Sequence, residues 1–109
     1  MFGKRFQKEL DMIEAASKND VDEKAFREYC APLVEAVTEK YIRDRSPVGF
    51  SKEDLLNAGW SHFAEALRNY RRNAHEMLEG KNTIFYFSTY YTWYIRQGIL
   101  EYVNVAKII

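Results

Sequence analysis

The stretch Thr83 to Gln97 reads Thr-Ile-Phe-Tyr-Phe-Ser-Thr-Tyr-Tyr-Thr-Trp-Tyr-Ile-Arg-Gln and carries seven of the chain's 17 aromatic rings. Rings presented beside a polar amide and cations suit unpaired bases, because every base offers a π-face and stacking contributes ~1–3 kcal/mol per base. An amide such as Gln97 has the donor and acceptor to pair with an adenine edge. Arg96 and Lys81, with Arg68, Arg71 and Arg72 earlier in the chain, are the cations available for phosphates. The density of aromatic and β-branched residues would suit a strand on propensity alone. Spacing favours a helix. With Ser88 as its cap, Ile95, Ile99, Tyr102 and Ala106 fall on one face, and Tyr90, Trp93, Tyr94 and Gln97 fall together on roughly the opposite one. The aliphatic face supplies a core stripe, which leaves the aromatic face for another role. The competing reading is a wholly structural aromatic core, since aromatic stripes at helical spacing commonly pack inside.

The elements that must position these residues are also helical. Phe2, Phe6, Leu10 and Ile13 recur at spacings of three and four, which predicts an amphipathic helix over 3–17. Lys18-Asn19-Asp20 interrupts it, with Asn19 or Asp20 available to cap the next helix. Phe26, Tyr29, Cys30, Leu33, Val37 and Tyr41 form a second stripe, continuous in phase across Pro32. Pro32 either kinks one helix or sits in the first turn of a new one, and the sequence leaves both open. Arg43 to Phe50 reads as a loop, broken by Pro47 and Gly49. Ser51-Lys52-Glu53-Asp54 resembles a capping box with a shortened acid. The helix it opens carries Leu55, Leu56, Gly59, Trp60, Phe63, Ala66, Leu67 and Tyr70 on one face. Asp54, Asn57, Ser61, Glu65, Arg68 and Arg72 lie on the other. Where this helix ends is left open, because 71–80 is polar but helix-compatible; Gly80-Lys81-Asn82 marks a turn. The expectation is a small all-α single-domain bundle of about four to five helices.

Composition narrows the function classes. At 109 residues, 47% apolar and 29% charged, the chain is sized for one domain and is neither collagenous nor a disordered tail. It holds no window of the ~20 apolar residues that a membrane span requires. The charged opening Met1-Phe2-Gly3-Lys4-Arg5 leads into no apolar signal core, so a cytoplasmic, membrane-free location is expected. The single cysteine, Cys30, excludes an internal disulfide and Cys-based metal cages; on its apolar stripe it reads as a small hydrophobe. His62 with Glu65, and His75 with Glu76, would need a third converging ligand to hold a metal. With no Gly-rich phosphate loop and no nucleophile–base pattern, neither a cofactor nor an enzyme is expected. Sixteen basic and sixteen acidic side chains give zero net charge, which argues against nucleic-acid binding by bulk electrostatics.

The segment Phe87-Ser88-Thr89-Tyr90-Tyr91-Thr92-Trp93-Tyr94-Ile95-Arg96-Gln97 closely resembles the Phe-Ser-Thr-Tyr-Ala-Thr-Trp-Trp-Ile-Arg-Gln signature of bacterial primary sigma factors. Asp54-Leu55-Leu56-Asn57-Ala58-Gly59 is similar to the family's Asp-Leu-Ile-Gln-Glu-Gly, and Leu67-Arg68-Asn69-Tyr70 to its Val-Asp-Lys-Phe. Leu33-Val34 through Lys40-Tyr41 is similar to the preceding helix. The resemblance spans about residues 30–106, the family's conserved region 2, and makes the N-terminal helix an extension.

This resemblance implies a domain that binds the clamp helices of the RNA polymerase largest subunit and captures the unpaired non-template strand of the promoter −10 element. Tyr90 matches the aromatic that stacks on a flipped adenine, for which stacking offsets the cost of unpairing. Trp93 and Tyr94 match the pair that wedges against the upstream edge of the opened bubble. Gln97 matches the glutamine near the most upstream base pair of the element. Phe87, Ser88 and Thr89 match residues lining the strand path, and Arg96 a basic residue beside the DNA. Asp54, Asn57, Ala58 and Trp60 fall on the polymerase-facing helix.

The departures bear on both partners. Ala58 replaces the family's Glu and Trp60 its Asn, at the polymerase contact. Leu100 and Glu101 replace Thr and Arg, so an acid stands where a phosphate-contacting cation would be. Cys30 replaces an asparagine of the downstream-base pocket, and about eight extra residues separate Tyr70 from Phe87. The helix-turn-helix of region 4 is not in the chain, which would suit an excised piece or a naturally minimal factor. These departures and the zero charge motivate an alternative of another class, a sigma-like decoy or anti-sigma regulator-binding module that does not read DNA.

Overall fold

The computed structural model describes residues 3–108, with side chains described for residues 3–106; Phe2 of the first predicted stripe lies outside them. Among the described residues five helices follow one another, α1 (Lys4–Ala16), α2 (Asp20–Arg45), α3 (Lys52–Gly59), α4 (Phe63–Leu78) and α5 (Phe87–Ile108). The described residues hold no strand. The expected small all-α bundle is the architecture observed. No helix among them is long and apolar enough to cross a membrane.

Local chemistry accounts for most boundaries. Asn19 caps α2, its side-chain oxygen accepting the Asp22 backbone N–H at 2.8 Å, and Ser51 caps α3 through the Asp54 N–H at 3.1 Å. Each cap satisfies one of the donors that a first helical turn leaves unpaired. Pro32 lies inside an uninterrupted α2. It is exposed, so the carbonyl that loses its partner there faces water. Ser46 ends α2 in the left-handed conformation at φ 42°, and Gly80 turns the chain after α4 at φ 77°.

The single helix expected from Lys52 onward is two. Trp60 to His62 break it, and the Ser61 hydroxyl donates to the Ala58 carbonyl at 2.6 Å. The expected division of faces survives the break, with Leu55, Phe63, Ala66 and Tyr70 buried and Asp54, Asn57, Ser61, Glu65, Arg68 and Arg72 exposed.

Helix α5 is central and packs against all four others. Its inner stripe is Phe87, Tyr91, Ile95, Ile99 and Val103, at regular spacings of four. Around it lie Phe6 and Ile13 of α1, Phe26 and Val34 of α2, Leu55 of α3, and Phe63 and Tyr70 of α4. The N-terminal helix is therefore part of the same core. Tyr102 and Ala106, expected on the core stripe, are exposed instead, because the stripe keeps a spacing of four after Ile99 and continues at Val103.

At Gly98, α5 meets the end of α3. A Cβ there would fall within van der Waals contact of the Ala58 carbonyl oxygen and 2.6 Å from Ser61 Oγ. Gly98→Ala should therefore separate the two helices and destabilise the fold by about 1–3 kcal/mol, the usual cost of overpacking. A urea denaturation midpoint no lower than that of the parent chain would contradict this close approach.

Candidate nucleic-acid interface

The aromatic residues of α5 divide between core and surface more sharply than the periodicity suggests. Phe87 is fully buried, stacked on Tyr91 with centroids 5.4 Å apart and an interplanar angle of 17°. Its ring belongs to the core, which corrects its expected place along a strand path. Tyr90 is half-buried between Tyr70 and Phe85. Tyr94 is only 9% exposed. Its hydroxyl accepts from Asn69 Nδ2 at 3.0 Å and lies 2.9 Å from the Tyr90 hydroxyl. Tyr94 thus serves the α4–α5 contact, not an open wedge.

Trp93 is the large exception, 61% exposed and edge-on to Tyr94 at 5.1 Å and 89°. A groove beside it is lined by Thr89, Thr92, Trp93, Arg96, Gln97 and Leu100. Thr89 and Arg96 are exposed, and Arg96 forms no ion pair among the described residues. Four of the expected strand-binding residues, Thr89, Trp93, Arg96 and Gln97, are therefore brought together on one groove. Gln97 is half-buried, its amide donating to Glu101 Oε1 at 3.3 Å. Glu101 is also 2.7 Å from His62 Nε2. Hydrogen bonds from His62 and Gln97 hold its carboxyl below the ordinary range.

Ser88 does not cap α5; it sits in the first turn, and its position depends on a residue that the periodicity did not single out. Glu9 of α1 has no exposed side-chain surface. Its carboxylate accepts the Ser88 backbone N–H at 3.3 Å and the Ser88 hydroxyl at 3.0 Å. The Tyr29 hydroxyl donates to it at 3.1 Å, and Arg5 Nε lies 3.6 Å away. Arg5 also donates to Ser88 Oγ and lies over the Tyr86 ring at 4.2 Å. One signal was present in the sequence: Glu9 stands three residues after Phe6 and four before Ile13, on the apolar stripe.

The other predicted cations differ in freedom. Arg71 pairs with Glu14 and Lys81 with Glu79, while Arg72 donates to Asn69; Arg68 is exposed without an ion pair among the described residues.

On α3, Asp54 and Asn57 are exposed. Ala58 is 9% exposed against α5, and Trp60 is half-buried edge-on to Phe63 at 5.3 Å. Ala58 is buried against α5, which corrects its expected place at the partner contact, while Trp60 keeps part of its ring at the surface. Cys30 is buried and its thiol is pushed up to about 12 by burial and by Glu9. It offers no polar group at the surface for a base pocket.

Comparison with family models, with curated proteins and with solved structures found no match to this chain.

Two measurements check this geometry. Glu9→Ala strands the Ser88 N–H and the Tyr29 hydroxyl, and should cost about 1–3 kcal/mol in urea unfolding, the range for an unsatisfied buried polar group. Burial and the neighbouring Tyr94 hydroxyl push Tyr90 up to about 12, and burial raises Tyr70 and Tyr91 further. A raised tyrosine contributes its full stabilisation below its ordinary value of 10.0 and loses it as pH rises through the folded value. Helical circular dichroism should hold to about pH 10 and fall above it as the tyrosinate absorbance of the buried rings rises. Tyrosinate absorbance that titrates fully near pH 10 with the helices intact would contradict the buried rings.

Proposed function

We propose that the chain is a sigma region 2-like domain of transcription initiation, which engages RNA polymerase and holds unpaired non-template bases on the Trp93 groove of α5. The observation that carries this reading is Trp93 itself, a largely exposed indole beside Thr89, Arg96 and Gln97, within the segment that resembles the sigma signature. A tryptophan costs apolar exposure in water, and a stacked base recovers it. Arg96 supplies a cation for the neighbouring phosphate, and Gln97 an amide for a base edge once it exchanges Glu101 for the base. Tyr90, partly exposed and packed against Tyr70, Phe85 and Tyr94, would support the stacked base from beside the groove. The exposed Asp54 and Asn57 of α3 form the polymerase-facing surface.

A second reading draws on Glu101. Its carboxylate occupies the Gln97 amide and is itself held by His62, an arrangement that suits a surface for protein, such as polymerase or a regulator, without base reading.

Fluorescence anisotropy with a single-stranded TATAAT-type oligonucleotide, alone and with RNA polymerase core, separates the two. The proposed function predicts sequence-selective binding, weakened by about 1–3 kcal/mol in Trp93→Ala and reduced in Tyr90→Ala. It also predicts a change in Trp93 fluorescence on adding the strand. No binding with polymerase present would overturn it. Polymerase capture unaffected by both substitutions, without strand binding, would establish the second reading.

A further inference from the structure

A second cleft opens on the other side of Arg96. It has a volume of about 400 Å³ and lies between the C-terminal half of α2 and the middle of α5. Its lining is Val37, Lys40, Tyr41, Asp44, Arg45, Thr92 and Arg96. Thr92 and Arg96 line the Trp93 groove as well, so the two hollows adjoin across one pair of side chains. Their chemistry differs. The Trp93 side offers a ring and an amide, whereas the α2 side offers three cations against one carboxylate.

That carboxylate is already engaged. Lys40 Nζ lies 3.1 Å from Asp44 Oδ2, and Arg43 Nε lies 3.8 Å from its other oxygen. Arg45 and Arg96 are exposed and have no carboxylate in ion-pair range among the described residues. Two unpaired guanidiniums and the Tyr41 hydroxyl are the free donors of this cleft, while the Thr92 hydroxyl donates to the Ser88 carbonyl at 3.0 Å. Guanidinium is the side chain best matched to the oxygens of a phosphate.

We infer that the α2–α5 cleft is a phosphate track, in which Arg45 and Arg96 take consecutive backbone phosphates of the strand whose base stacks on Trp93, while Lys40 keeps Asp44 neutralised at the wall. This rests on the proposed function and deepens it: the strand would cross α5 at Thr92 and Arg96, with bases toward Trp93 and phosphates toward α2. Positioning then comes from the cleft and base selection from the groove, the usual division between backbone and base contacts.

The test uses two ligands at low salt, a single-stranded oligonucleotide and an abasic deoxyribose-phosphate oligomer of equal length, each read by anisotropy across a salt series. Arg45→Gln leaves Asp44 and its partners untouched, and Arg96→Gln, which also spares them, is combined with it in a double variant. The cleft predicts that both ligands weaken in Arg45→Gln and again in the double variant. It also predicts that the slope of log affinity against log salt becomes shallower by about 0.7 for each phosphate contact removed, the single-strand value. Trp93→Ala should weaken the oligonucleotide and leave the abasic oligomer unchanged. Abasic affinity and salt slope unaltered in the double variant would overturn the phosphate track, even with Trp93 dependence intact. An oligonucleotide that binds no tighter than the abasic oligomer would instead overturn the base-stacking reading while the cleft's charge dependence remained measurable. Inorganic pyrophosphate binding as tightly as the oligomer would overturn the strand path in favour of a free-phosphate site.

Discussion

A carboxylate removed from water must be repaid in hydrogen bonds, and Glu9 meets that demand with groups drawn from three helices. The Ser88 N–H is one of the first-turn donors that α5 cannot satisfy within itself. An acid at that position also lies favourably in the field of the helix N-terminus. Tyr29 brings α2 to the same carboxylate, and Arg5 supplies the counter-charge from one turn earlier on α1. Because Ser88 is held at a fixed point, the rotation of α5 about its axis is fixed as well. That rotation decides which side chains of 87–103 point inward. The buried acid thus pins the start of α5 in the register that its apolar stripe favours, with Phe87, Tyr91 and Ile95 in the core and Trp93 and Arg96 outside.

Once the rotation is set, packing on several sides divides the aromatic residues. A helix at the edge of a bundle buries one stripe and leaves the rest in water. Helix α5 instead touches α1, α2, α3 and α4. Tyr90 and Tyr94 are drawn against α4 by their hydroxyl pair and by Asn69, although their spacing alone would assign them to the free face. Most rings of the aromatic segment are structural, and Trp93 is left outside. Gly98 allows this arrangement, since the α3 backbone approaches α5 where a side chain would stand.

Much of the fold was legible because its signals are local. The caps at Asn19 and Ser51, the turn at Gly80 and the buried faces of α1 and α4 each depend on a few neighbouring residues. The break at Trp60 to His62 was not legible. Its residues keep the helical alternation of apolar and polar types, so the turn has no mark in the pattern; the Ser61 bond to the Ala58 carbonyl becomes visible only in three dimensions. Glu9 was missed for a related reason, because an acid on an apolar stripe reads as a boundary residue until its distant partner, Ser88, is known. For the candidate site, residue types and helix phase placed Thr89, Trp93, Arg96 and Gln97 together. They could not separate Tyr94 from Trp93, since burial there is decided by Asn69, 25 residues away.

The zero net charge also looks different once positions are known. Net charge describes a field far from the molecule, but in salt near 0.1 M charges act over about 10 Å. The chain extends 46 Å along its longest axis, so acids at one end do little to cations at the other. Many of the acids are already committed. Glu35 and Glu39 share Lys52, Glu14 holds Arg71, and Glu23 holds Arg27. Arg45 and Arg96 have no such partner and lie on one cleft. A chain that is neutral in sum is therefore cationic where α2 meets α5.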